Sequence, residues 1–182
     1  MIKVNTKKGE KLSASFIKKW SETMTDAFGG DEILDVKDKK KYSKDKFFIA
    51  TDKKKIVSMG RLIPIKIKFA GKDYDIKGIA GIVSVEKGKG YGKALMTSIK
   101  KYLEKNKKTA IGFCGRKNDG FYIKCGFKIK KNISERFIYT NENGKAFWDN
   151  EGDDVVYLEG KDKFMEKILS NKLNIDIPIM PW

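Results

Sequence analysis

Residues 83–96 (VSVEKGKGYGKALM) carry the tightest constraint in this chain. An apolar strand runs into three glycines at alternate positions, Gly88, Gly90 and Gly92, and the loop opens directly into a helical pattern. Glycine adopts positive φ and allows close backbone approach. Successive amides in such a turn can point into one concavity, and a helix N-terminus adds partial positive charge. Lys87, Lys89 and Lys93 strengthen a place that could hold a pyrophosphate. The competing reading is an ordinary glycine-rich turn. Neither the Walker pattern nor the dinucleotide pattern Gly-x-Gly-x-x-Gly with its acidic ribose partner is present.

The rest of the pattern sets this loop in an α/β layout. Leu12, Phe16, Trp20, Met24 and Phe28, with Ile17 and Ala27 beside them, predict an amphipathic first helix closed by Gly29-Gly30. Residues 31–46 read as a loop or short helix. A strand is expected at Phe47–Ala50 with a turn at 52–54. A long strand over Ile56–Phe69 follows, then a hairpin turn at Ala70–Asp73 and a return strand over Tyr74–Val85. Gly78 and Gly81 inside that return strand suggest a bulge or close backbone approach. After the loop come a helix to about Asn106, a buried strand at Thr109–Cys114 and a short helix at Asn118–Lys124. Strands near 127–130, 136–140 and 155–158, a helix at 161–169 and an apolar tail complete the chain. No repeat or linker interrupts it, so one domain over 1–182 is expected, α/β with a mixed central sheet flanked by helices.

Composition narrows the function. The net charge of +16 invites a nucleic-acid reading, but 37 of the 40 basic residues are Lys and they are spread through every element. Base readout and bidentate phosphate contact favour Arg, so nucleic acid is not the expected partner. Histidine is absent, which removes the commonest general base and metal ligand. Cys114 and Cys125 form no metal-type spacing and no disulfide framework. No run approaches the roughly 18 apolar residues of a membrane span, and Met1–Asn5 has no apolar leader segment. The expectation is a cytoplasmic protein with no membrane partner and no metal.

Two motifs together resemble the GNAT superfamily of N-acetyltransferases. Its acyl-CoA-binding pattern, Arg/Gln-x-x-Gly-x-Gly/Ala, is matched by Lys87, Gly90 and Gly92, with Lys at the first position keeping charge but losing planar hydrogen bonding. About thirty residues later, Phe121–Phe127 (FYIKCGF) is similar to the family's Phe/Leu-Tyr-x-x-x-Gly-Phe ending. The resemblance implies the GNAT fold, acetyl-CoA as co-substrate, and Tyr122 as the proton donor to the departing thiolate. A phenol of pKa near 10 suits that task. It implies pantetheine contacts from the backbone of Ile82, Val83 and Val85, in a slot where this strand parts from Thr109–Cys114. The pyrophosphate falls to Lys87, Gly88, Lys89, Gly90, Tyr91, Gly92 and Lys93. Asn118 is read either as a contact to the cofactor arm or as a helix N-cap. Tyr122 taken alone also reads as a core residue beside two phenylalanines. No single base is assigned: Glu86 is near in sequence, and water-mediated deprotonation needs no named residue. A Cys114 acyl-enzyme is disfavoured because no histidine can activate it.

The acceptor signals are fainter. Asp26–Asp31, the acidic stretch 149–154 and the terminal Trp182 are similar to the aminoglycoside 2′-N-acetyltransferases. That likeness implies Asp31, Asp35, Asp153 or Asp154 and the Trp182 carboxylate around a cationic small-molecule amine, and a homodimer. Residues 78–81 (GIAG) lack the glutamate that those enzymes carry before the phosphate loop. The alternatives are a protein or peptide N-acetyltransferase, or a non-catalytic module that binds acyl-CoA or nucleic acid.

Overall fold

Helix α1 (Ala14–Phe28) begins where the Ser13 hydroxyl accepts the Phe16 N–H and ends at Gly29, whose φ of 82° stops it. Its apolar face buries Phe16, Ile17, Trp20 and Met24. Each fully buried side chain of this size contributes about 1.5–3 kcal/mol. Phe28 is 52% exposed, contrary to the four-residue pattern that had placed it on this face. A strict spacing of four drifts by about 40° per step on a helix with 3.6 residues per turn, so by Phe28 the stripe has rotated away.

The computed structural model describes residues 1–29, 34–140, 143–144, 146–147 and 153–179. Strands β1 (Lys3–Lys8), β2 (Lys46–Asp52), β3 (Lys55–Phe69), β4 (Lys72–Ser84), β5 (Ala110–Gly115), β6 (Lys128–Lys130) and β9 (Asp153–Leu158) form one sheet in the order β1-β2-β3-β4-β5-β9-β6. Strands β7 (Phe137–Thr140), β8 (Ala146–Phe147) and β10 (Ile175–Ile177) form a second, in the order β10-β7-β8. The β1–β2, β2–β3, β5–β9 and β6–β9 ladders are antiparallel, and β4–β5 is parallel through Lys77↔Ala110 and Gly78↔Ile111. Helices α2 (Lys39–Tyr42), α3 (Tyr91–Lys105), α4 (Asp119–Lys124) and α5 (Phe164–Leu169) complete the chain. This is the expected α/β class, a mixed and mostly antiparallel sheet with helices.

The described residues divide into two units. The first takes residues 1–63 and 79–99. Its core joins α1 to Leu34, Tyr42, Phe47, Ile49 and Met59. The Trp20 ring meets Phe47 edge-on at 4.9 Å, and Asp45 and Arg61 form a buried ion pair at 3.1 Å. Gly81 has φ +58°, and a Cβ there would stand 2.8 Å from Trp20 Cζ2. The close approach expected at Gly81 is therefore met.

The second unit takes residues 64–78 and 100–182. Phe164 of α5 packs on Tyr74 at 4.8 Å and Phe69 at 6.2 Å, and Phe113 meets Phe137 at 5.3 Å. The predicted helix at 161–169 starts later, at Phe164, because Lys163 is left-handed (φ 52°) and Asp162 and Glu159 accept the first helical N–H groups. Arg136 donates to the carbonyls of Ile168 and Leu173, which ties down the approach to β10. Strands β1 and β10 lie where the sequence reading had no strand. β1 is an exposed lysine-bearing edge whose pattern hides it, and β10 is three residues paired in parallel with β7.

Gly81→Val should lower stability by about 3 kcal/mol, combining a left-handed branched residue with a clash against Trp20. Gly71→Ala, where φ is +77° but nothing lies within 4 Å, should cost about 1 kcal/mol. Equal melting temperatures for the two variants would contradict the packing account of Gly81.

Candidate active site

In the first unit the strand-to-helix join is built as a cradle. Gly88 and Gly90 have φ of +80° and +75°, and at neither would a Cβ meet an atom within 4 Å. The Ala94 N–H closes the first helical bond onto Gly90. The N–H groups of Tyr91, Gly92 and Lys93 therefore head α3 with no acceptor inside the helix. Fifteen residues of helix stand behind them, and the first turn carries no acidic side chain. Lys87, Lys89 and Lys93 are exposed around the turn. These residues fit a diphosphate group: open space at the glycines, amides heading the helix and exposed lysines. The Tyr91 phenol is raised by partial burial first, with the carboxylates of Asp52 and Glu86 adding. Glu86 itself is exposed on the loop.

Strand β4 reaches the turn with alternate residues facing opposite edges. Val85 donates its N–H to Val57 of β3 at 3.0 Å. The Ser58 hydroxyl donates to the Val83 carbonyl at 2.6 Å and accepts from Ser84 Oγ at 3.0 Å. These backbone groups of Val83 and Val85 are thus engaged with β3. Ile82, the third residue expected at the pantetheine, is half-buried.

In the second unit, α4 buries Asp119 and Tyr122. Tyr122 is 9% exposed and its ring lies 5.1 Å from Phe121. Burial pushes its phenol well above the ordinary range, and the neighbouring Cys114 and Cys125 add to the shift. The group is a proton carrier at neutral pH, not a base. Asn118 precedes α4 but its side chain makes no capping hydrogen bond, and it is exposed. The Cys114 thiol, buried on β5, donates to Asp119 Oδ1 at 3.7 Å. Burial first, then Asp119, Asp153 and Asp154, push that thiol up to about 12, which leaves it inert as a nucleophile.

The acidic positions named for an acceptor are not equivalent. Asp154 is 0% exposed. Its Oδ1 accepts the Asn132 N–H at 3.3 Å, and its Oδ2 lies 4.0 Å from Arg116 Nε. It is a buried structural carboxylate, not an open ligand. Asp153 is half-buried, its carboxyl raised by burial and by Asp154. Asp35 is exposed and accepts the Lys37 N–H at 2.8 Å. It borders a shallow hollow of about 670 Å³ on the outer side of α1, shared with Lys18, Lys19, Glu22 and Asp26. Asp31 and Trp182 lie outside the described residues. Among the described residues no group of His, Cys, Asp or Glu could hold a metal ion, and no helix is long and apolar enough to cross a membrane.

Comparison with known proteins gives the family. The chain belongs to the GNAT acetyltransferases: the family model, an acetyltransferase (GNAT) domain, matches residues 9–129. No curated protein matches it in sequence. Among solved structures it is similar to Escherichia coli ElaA, with 13% identity and a TM-score of 0.60, over 87% of this chain and 100% of that one. An acyl-CoA N-acyltransferase from Pseudomonas aeruginosa matches at 14% identity and a TM-score of 0.57, over 85% and 98%. A conserved protein of Enterococcus faecalis matches at 18% identity and a TM-score of 0.56. That protein is longer: the match takes 70% of this chain and 32% of the other.

Asp154→Ala should lower stability by about 1–3 kcal/mol, because it strips a buried acceptor from Asn132. Asp35→Ala on the surface should cost about 0.5 kcal/mol. Urea unfolding of both variants checks this, and equal costs would overturn the assignment of Asp154 to the framework.

Proposed function

We propose that this chain is an acetyl-CoA-dependent N-acetyltransferase that acts on a primary amine by direct attack. The observation that carries the reading is the cradle at Gly88–Lys93, with open positive-φ glycines, amides heading the helix and three exposed lysines. Acetyl-CoA, when bound, supplies an acyl group already activated as a thioester. The cradle holds the pyrophosphate, and the backbone over Ile82–Val85 serves the pantetheine chain. Tyr122 gives its proton to the leaving sulfur; burial keeps that proton in place until a thiolate forms beside it. A thiolate in the same dry surroundings has its own proton affinity raised by desolvation, so the transfer is not opposed by the full shift of the phenol. Asn118, free of a capping role, is available to the cofactor arm. The acceptor amine loses its proton to water.

The acceptor drawn from the likeness to the aminoglycoside enzymes is a cationic small molecule. Of the acidic residues in that reading, Asp35 and Asp153 keep carboxylates at least partly open, whereas Asp154 is committed to Asn132 and Arg116. Peptide acetylation needs no acidic pocket and is the second reading.

Acetyl-CoA at about 100 times its Kd should stabilise the protein by roughly 2.7 kcal/mol, and CoA by nearly as much. Gly90→Glu should abolish that shift by adding bulk and negative charge to the cradle. No thermal shift at millimolar acetyl-CoA would sink the cofactor reading. Tyr122→Phe should lower kcat by about 10²–10⁴-fold with little change in acetyl-CoA affinity. Free-thiol release measured with kanamycin, spermidine and a short peptide with a free N-terminus reads both kcat and acceptor class. Acetylation of the peptide alone would reject the cationic small molecule.

A further inference from the structure

We propose that Ser58 of β3 is a positioning residue for the cofactor, holding the end of β4 where the pantetheine chain is expected. The proposal rests on the acetyl-CoA reading above. Ser58 is 1% exposed and stands in a buried run, Val57–Gly60. A hydroxyl in such a place costs free energy unless it is hydrogen-bonded. Both of its bonds go to one segment. It donates to the Val83 carbonyl at 2.6 Å and accepts from the Ser84 hydroxyl at 3.0 Å. Val83 and Ser84 belong to the stretch Ile82–Val85 assigned to the pantetheine, so Ser58 touches that stretch directly.

The strand end needs such a hold. Against β2, the register of β3 steps from Ala50↔Ser58 to Thr51↔Ile56, which leaves Val57 as an extra residue. A bulge of this kind interrupts the ladder and bends the strand. The Val85 N–H bonds to the carbonyl of that same Val57 at 3.0 Å. Past this bond the chain has little packing to fix it: residues 85–90 are all exposed, and Val85 itself is 48% exposed. The hydroxyl therefore fastens β4 beside a bulge and just ahead of an unpacked turn. Room on this face is small, because a Cβ at Gly60, two residues along the same face, would run into Ile82 and Leu95. A serine meets the need for a donor without bulk. Without that donor the Val83 carbonyl loses this bond, and the pantetheine segment has to be ordered as the ligand binds. Ordering on binding weakens affinity and leaves the chemistry of the bound thioester alone.

Ser58→Ala, Ser58→Cys, Ser84→Ala and a core variant, Met165→Ala, form the test, with CoA as the probe. Isothermal titration should show the Kd for CoA weakened about fivefold or more in Ser58→Ala, the scale of one hydrogen bond. Ser84→Ala leaves the bond to Val83 in place and should lose less. Ser58→Cys fills nearly the same space with a weak donor and should stay within about twofold of Ser58→Ala. In the free protein, amide exchange over residues 82–92 should run faster in Ser58→Ala than in the wild type. With acetyl-CoA and the fastest of the three amines above, KM for acetyl-CoA should rise while kcat holds. Met165 is 0% exposed in α5, and Met165→Ala should lower the melting temperature with the CoA Kd unchanged. A wild-type Kd or wild-type exchange in Ser58→Ala overturns the proposal. So does full recovery in Ser58→Cys, which would make the role one of volume, or an equal weakening in Met165→Ala, which would make it one of stability. A loss confined to kcat overturns it as well. No binding of CoA to the wild-type chain overturns the cofactor reading itself, and this proposal with it.

Discussion

Between β4 and the Trp20 indole there is no room for a side chain at position 81, and the first unit is arranged around that fact. Gly81 takes φ +58° and brings the strand to within van der Waals contact of the Trp20 edge. α1 then seats Phe16, Trp20 and Met24 in the core with Phe47 and Met59. The Trp20 Nε1 makes no hydrogen bond among the described residues. An unsatisfied buried donor costs about 1–3 kcal/mol, and the burial of a whole indole against Phe47 is of the size needed to offset it. Downstream of this contact, Val83 and Val85 engage β3 and hand the chain to the glycine turn.

Much of this was legible because the signals are periodic or chemical. The α1 stripe, the β3–β4 hairpin and the strand–loop–helix join all come from residue types that leave few alternatives. The paired motifs around Gly90 and Tyr122 added the family, which no composition could give. What escaped was set by partners. β1 exists because β2 offers it an edge, not because KVNTKK reads as a strand. Phe28 left the core through the mismatch between a spacing of four and 3.6 residues per turn.

The acidic residues show most clearly how a linear reading misleads. In a chain of net charge +16, any Asp looks like a device for binding a cation. Yet Asp45 answers Arg61, Asp154 holds Asn132 near Arg116, and Asp119 is shared by Cys114 and Lys131. Glu159 and Asp162 serve Thr109 and the first amides of α5. Carboxylates are outnumbered by basic residues, 24 to 40, and several join elements within the chain. Exposed lysines can be numerous without such roles, because a surface ion pair contributes only about 0–1 kcal/mol and its loss is tolerated. The abundance of one sign therefore says little about ligands, while the burial of the other says a good deal about architecture.

In the mechanism proposed above, a chain without histidine takes its proton carrier from Tyr122 in the second unit. An exposed phenol already holds its proton at neutral pH, so burial is not needed to make Tyr122 an acid. What burial adds is a fixed position and the exclusion of water, both of which favour transfer to one particular sulfur over exchange with solvent. The cost is that any charge nearby acts through a low dielectric and is felt strongly. The Cys114 thiol of β5 keeps its proton through burial and the carboxylate of Asp119, which is itself balanced by Lys131. In the proposed mechanism the carboxylates of this unit are thus answered by their own partners, and the phenol holds its proton first through burial.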